Sequence, residues 1–131
     1  MYKRQINWKF YTSICPPAPI EYLSKVALDV REQLWDRNRQ IIADNLALVR
    51  PFFAKHANFF CFREPMGAST SMIEVAVPNA LDYCHQVAKE AGVVLLPLSF
   101  MGLETPAVRM GFGRKSFATA LAAYDQYLSQ A

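Results

Sequence analysis

Between residues 20 and 53 apolar side chains recur at Leu23, Val26, Val30, Leu34, Ile41, Leu48 and Phe52, at intervals of three, four or seven. One face of an α-helix returns every 3.6 residues, so this spacing writes a single apolar stripe along one unusually long helix. A helix is therefore expected over residues 20–56. Pro51 is expected to kink it or start a fresh turn near its end, because proline removes a backbone donor and clashes with the preceding turn. Residues 1–19 are expected to be extended, since Cys15-Pro16-Pro17-Ala18-Pro19 loses donors and is steered away from helix.

Beyond the rod the period changes from helical to alternating. Residues 58–63 (NFFCFR) have the aromatic content of a strand, and Glu64-Pro65-Met66-Gly67 supplies a turn before a second strand at 71–77. In that strand Ile73, Val75 and Val77 alternate with Met72, Glu74 and Ala76, so one face is buried. Asn79 is placed to cap a helix whose inner face carries Leu81, Cys84, Val87, Ala88 and Ala91, with Gly92 as its left-handed terminator. A short strand at 93–96, a loop at 97–106 and a strand at 107–112 follow. Gly113 then separates this strand from a last helix capped by Ser116 and packed through Phe117, Leu121, Tyr124 and Leu128. This order predicts an α+β two-layer fold: a small, mostly antiparallel sheet covered by helices on one side and preceded by the long connecting helix. The expected parts are an extended segment (1–19), the connecting helix (20–56) and a small domain (57–131).

Composition removes several function classes. The 131 residues suit one compact domain, and 53% apolar with 19% charged residues leaves no signature of disorder. Basic and acidic residues interleave from 31 to 50, and the net charge is only +3, which makes a solvated face and not a track for nucleic acid. Cys15, Cys61 and Cys84 are odd in number and far apart, and His56 and His85 have no ligand spacing, so no disulfide framework and no metal site are expected. A reducing cytoplasm is the simplest compartment. No apolar run approaches the roughly 20 residues of a membrane span.

Three segments carry a resemblance. Lys9-Phe10-Tyr11-Thr12-Ser13-Ile14-Cys15-Pro16, with Pro19-Ile20-Glu21 and the long helix, looks like the segment leaving the large domain of class I/II pyridoxal-phosphate (PLP) aminotransferases. Pro65-Met66-Gly67-Ala68-Ser69 is similar to their Pro-x-Gly-Gly turn. The run from Ala91-Gly92-Val93 through Pro97, Ser99-Phe100-Met101-Gly102 and Val108-Arg109-Met110-Gly111-Phe112-Gly113 is the most specific. Together they cover nearly all of residues 7–128 and resemble the C-terminal small domain of these fold type I enzymes. Ala68 and Leu98 stand where the family pattern has glycine, which bears on the local loop shape.

The resemblance implies that Arg109 clamps the substrate α-carboxylate and that Thr12 and Ser13 face the cofactor or a neighbouring subunit's site. It also implies PLP as cofactor, amino acid and 2-oxo acid substrates, and a homodimer. A planar guanidinium offers two parallel donors to a carboxylate and stays charged at any working pH, which suits Arg109 to that role. Thr12 and Ser13 could equally bond their own backbone. Transamination also needs a lysine that holds PLP covalently, in a serine- and glycine-rich context. Among Lys3, Lys9, Lys25, Lys55, Lys89 and Lys115 only Lys25 follows a serine, and no glycine follows it within the helix. The cofactor-binding domain is thus expected before residue 1, with these 131 residues inactive alone. A PLP lyase or racemase of the same fold shares the clamp, and a free-standing α+β module binding a ligand or a protein would also account for the absent lysine.

Overall fold

The computed structural model of the chain describes residues 2–13 and 15–130, which fall into two compact units, 1–37 and 38–131. The first unit is helical. Helix α1 spans Tyr2–Thr12 and α2 spans Ala18–Asp29, and α3, Arg31–Lys55, begins here and continues into the second unit. The expected extended segment is therefore corrected over Tyr2–Thr12. No proline or glycine interrupts those residues, and chain-breaking chemistry starts only at Pro16. Pro17 precedes α2 in polyproline geometry (φ −59°, ψ 141°), and the proline following Ala18 occupies the first turn, where a backbone N–H would have no helical partner. The 20–56 rod is broken only at Val30 (φ −105°, ψ 17°), with helical bonds from Val30 N–H to Val26 O and from Leu34 N–H to Val30 O on either side. Leu23, Val26 and Leu34 of the stripe are exposed.

In the second unit α3 runs through Pro51 to Lys55. Its buried face is Asn45, Leu46, Val49, Phe52 and Phe53, and Leu48 is exposed. Strands β1 (Phe60–Cys61), β2 (Thr70–Val75), β3 (Leu96–Pro97) and β4 (Ala107–Gly111) form an antiparallel sheet in the order β1-β2-β4-β3. Helices α4 (Ala80–Ala91) and α5 (Phe117–Gln130) complete the unit, with a 3-10 turn at Leu98–Met101. The two-layer α+β fold is as expected, although the edge strands β1 and β3 are shorter than their sequence patterns suggest.

One continuous core joins α3, the inner sheet face, α4 and α5. Val49, Ile73, Val87, Val108, Phe112 and Tyr124 are all but inaccessible within it. Burying a Val, Ile or Phe side chain stabilises by about 1.5–3 kcal/mol relative to leaving it in water. Phe52, Phe53, Phe60 and Tyr124 pack as an aromatic group with ring centroids 5.1–6.0 Å apart. The hydroxyls of Tyr83 and Tyr124 bond one another inside this core, so neither is stranded.

Candidate functional site

Strand β4 is the centre of the site because the pleat sends successive side chains to opposite faces. Val108 and Met110 are buried in the core, and Arg109 between them is exposed on the other face. Arg109 stands directly opposite Met72 of β2 on one side and Leu96 of β3 on the other. Directly opposed residues share a face, with Cβ atoms about 5 Å apart, so the guanidinium rises from a row flanked by two apolar side chains. Among the described residues it makes no hydrogen bond and no ion pair. Arg50 and Lys55, by contrast, are committed: Arg50 holds Glu64 in a two-pronged contact of 2.9 and 2.8 Å, and Lys55 sits 2.8 Å from Asp125. Lys55 and then His56, whose Nε2 lies 2.7 Å from the same carboxylate, hold the Asp125 carboxyl below the usual carboxylate range.

Beyond Arg109 the strand runs into Gly111, Phe112, Gly113 and Arg114. The Phe112 N–H donates to Ser69 O at 2.7 Å. From the other side Asn45 Nδ2 donates to Phe112 O at 2.7 Å and to Arg114 O at 2.9 Å. Asn45 is the buried polar residue of α3, 6% exposed, and it pins the end of β4 to the helix. Sequence reading missed it. The available signal was a polar residue midway between Ile41 and Val49, at helical spacing on the core stripe.

Leu98 needs no glycine. Its side chain is 3% exposed and anchors the 3-10 turn after β3, while the positive φ of that loop falls at Gly102 (75°). Thr12 Oγ1 bonds Trp8 O at 2.8 Å and the Ser13 N–H bonds Lys9 O at 3.0 Å, both at the exposed end of α1. These two residues belong to the first unit and Arg109 to the second.

No protein-family model and no curated protein matches the sequence. Solved structures do match. A PLP-dependent aminotransferase from Streptococcus suis superposes with a TM-score of 0.81 at 27% identity, over 95% of this chain and 33% of that one. The PLP-dependent cyclase OrfR gives 0.82 at 17% identity, over 95% and 35%. Aspartate aminotransferase from Thermotoga maritima gives 0.74 at 23% identity, over 94% and 32%. The chain has the fold of the C-terminal domain of a fold type I PLP-dependent enzyme. It spans about a third of the length of these solved proteins.

Among the described residues no lysine has the buried setting that a covalently held PLP would call for. A lysine that carries the cofactor must be able to lose its proton, which burial or a neighbouring cation promotes. All six lysines of this small domain and its leading helices are exposed, and Lys25 and Lys55 are paired with Asp29 and Asp125. No helix of the described residues is long and apolar enough to cross a membrane.

Proposed function

We propose that this chain is the carboxylate-clamping C-terminal part of a PLP-dependent aminotransferase. The catalytic lysine and the cofactor contacts come from a separate PLP-binding part, and these 131 residues alone are inactive. The observation that carries the reading is Arg109, an exposed, uncommitted guanidinium on a strand locked into the core by Val108 and Met110. A rigid strand fixes where the guanidinium points, and its two donors match a carboxylate plane. Binding energy from this non-reacting group then orients the amino acid or 2-oxo acid for reaction elsewhere in the site. The Streptococcus suis aminotransferase, at 27% identity, supports transaminase chemistry. The fold of the cyclase keeps other PLP chemistry as the second reading, since the same clamp would serve it. A cytoplasmic homodimer with Thr12 and Ser13 near the cofactor completes the proposal.

The test is kinetic, with this chain joined to the PLP-binding part of the Streptococcus suis enzyme. Arg109→Ala should leave cofactor absorbance intact and lower kcat/KM for α-amino acids by about 30- to 5000-fold, the roughly 2–5 kcal/mol of unpairing a buried charge contact. Arg109→Lys should recover only part of this. Amines without an α-carboxylate should be little affected, and equal losses on both substrate types would show that Arg109 supports the fold and not the clamp.

A further inference from the structure

The ladder around β4 ends unevenly. Strand β3 pairs Pro97 with Val108 and Leu96 with Arg109 and goes no further, while β2 continues, with Ser71 opposite Met110 and Thr70 opposite Gly111. Among the described residues Arg109 is thus the last of β4 to have a strand partner on each side. Strand ends open at little cost, so the position of a side chain there depends on what holds the backbone just beyond it. That backbone runs Met110-Gly111-Phe112-Gly113-Arg114, and its two glycines give it more freedom than other residues would.

A side chain supplies the missing hold. The two hydrogens of Asn45 Nδ2 go to the carbonyls on either side of Gly113, at 2.7 Å to Phe112 O and 2.9 Å to Arg114 O. Phe112 is fully buried, its ring edge-on to Phe117 at 5.8 Å, and its N–H donates to Ser69 O at 2.7 Å. Asn45 stands on α3 beside the buried Leu46 and one turn before the buried Val49, so the base of its own side chain is fixed in the core. Apolar packing alone lets two elements slide a little past one another, whereas a satisfied pair of buried hydrogen bonds is directional and specifies one arrangement. Phe112 follows Arg109 by three residues, about 10 Å along the strand, so what holds one limits the movement of the other.

We infer that Asn45 is a positioning residue for the Arg109 clamp: by holding the Phe112 and Arg114 carbonyls it fixes the backbone on which the guanidinium stands and ties the clamp strand to α3. The inference rests on the reading of Arg109 as the carboxylate clamp. Asn45 does not touch the carboxylate. Its loss loosens the strand end, so a carboxylate must order the guanidinium as it binds and affinity falls.

The experiment is a titration of the 131-residue chain with pyruvate, and with pyruvamide as the neutral control, following the Arg109 Nε–H resonance by NMR at low temperature, where the variants stay folded. Pyruvate should move this resonance and pyruvamide should not. Asn45→Ala should weaken pyruvate binding by about five- to tenfold. Asn45→Ser, which keeps one donor, should fall between it and wild type. Val49→Ala, which loosens the same helix face but has no donor to lose, should bind pyruvate as wild type does. If Arg109→Gln abolishes binding while Asn45→Ala and Asn45→Ser keep wild-type affinity, Asn45 positions nothing and the clamp stands. A loss in Val49→Ala as large as in Asn45→Ala would also overturn the inference, because general loosening would then explain both. Should Asn45→Ala fail to fold, Asn45→Ser read against Val49→Ala decides alone, and wild-type affinity in it sinks the inference. If wild type does not bind pyruvate, or Arg109→Gln changes nothing, the clamp reading fails and this inference with it.

Discussion

Asn45 offers a direct test of how the end of β4 is held. Its amide donates to Phe112 O at 2.7 Å and Arg114 O at 2.9 Å from a position only 6% exposed. Asn45→Ala removes both donors. Phe112 is fully buried, so its carbonyl loses its partner with no water to replace it, which costs about 1–3 kcal/mol. The Arg114 carbonyl is only partly buried and can rehydrate, so its loss is about 0.5–1.5 kcal/mol, the net value of an ordinary hydrogen bond. Together the variant should lose about 2–4 kcal/mol, or about 10–20 °C of melting temperature for a domain of this size. Asn45→Asp should lose at least as much, because a carboxylate would turn negative oxygen toward two carbonyl oxygens. The assay is urea unfolding, with a lower midpoint at unchanged slope marking a true stability loss. A cost below about 0.5 kcal/mol for Asn45→Ala, the range of ordinary surface changes, would refute the pinning argument.

Three further outcomes are expected. Burial pushes the Tyr83 hydroxyl up to about 12, while the unfolded chain ionises near 10. The folded state therefore holds its proton longer, and stability should fall as pH rises from about 10 to 12, a loss that Tyr83→Phe should lessen but not abolish, because burial raises the Tyr124 hydroxyl as well; Tyr124→Phe strands the Tyr83 hydroxyl and should cost about 1–3 kcal/mol at neutral pH. Treating the chain with PLP and borohydride should label no lysine stoichiometrically, since all six are exposed; peptide mapping that finds one fully labelled lysine would overturn the assignment of the cofactor lysine to another part.

Local chemistry was legible wherever a short stretch decides its own conformation. The Asn79 side chain accepts from the Leu81 N–H at 2.9 Å and the Asp82 N–H at 3.4 Å, and Gly92 takes φ 67°, both as their residue types require. The alternation in β2 and β4 likewise placed Ile73, Val75, Val108 and Met110 inside and Arg109 outside. Helix α1 was misread because a proline cluster breaks only the residues it touches, and its influence was extended back over residues that have no breaker of their own.

By itself the sequence determined the helical and alternating periods, the caps and the identity of the exposed arginine, since each depends on residues within a turn or two of one another. The tertiary structure decided what depends on distant pairs. It set the order β1-β2-β4-β3, which puts Arg109 between Met72 and Leu96, and it brought Asn45 to carbonyls 67 and 69 residues away. No local propensity encodes such a contact: a buried amide is tolerable only once the fold supplies its acceptors.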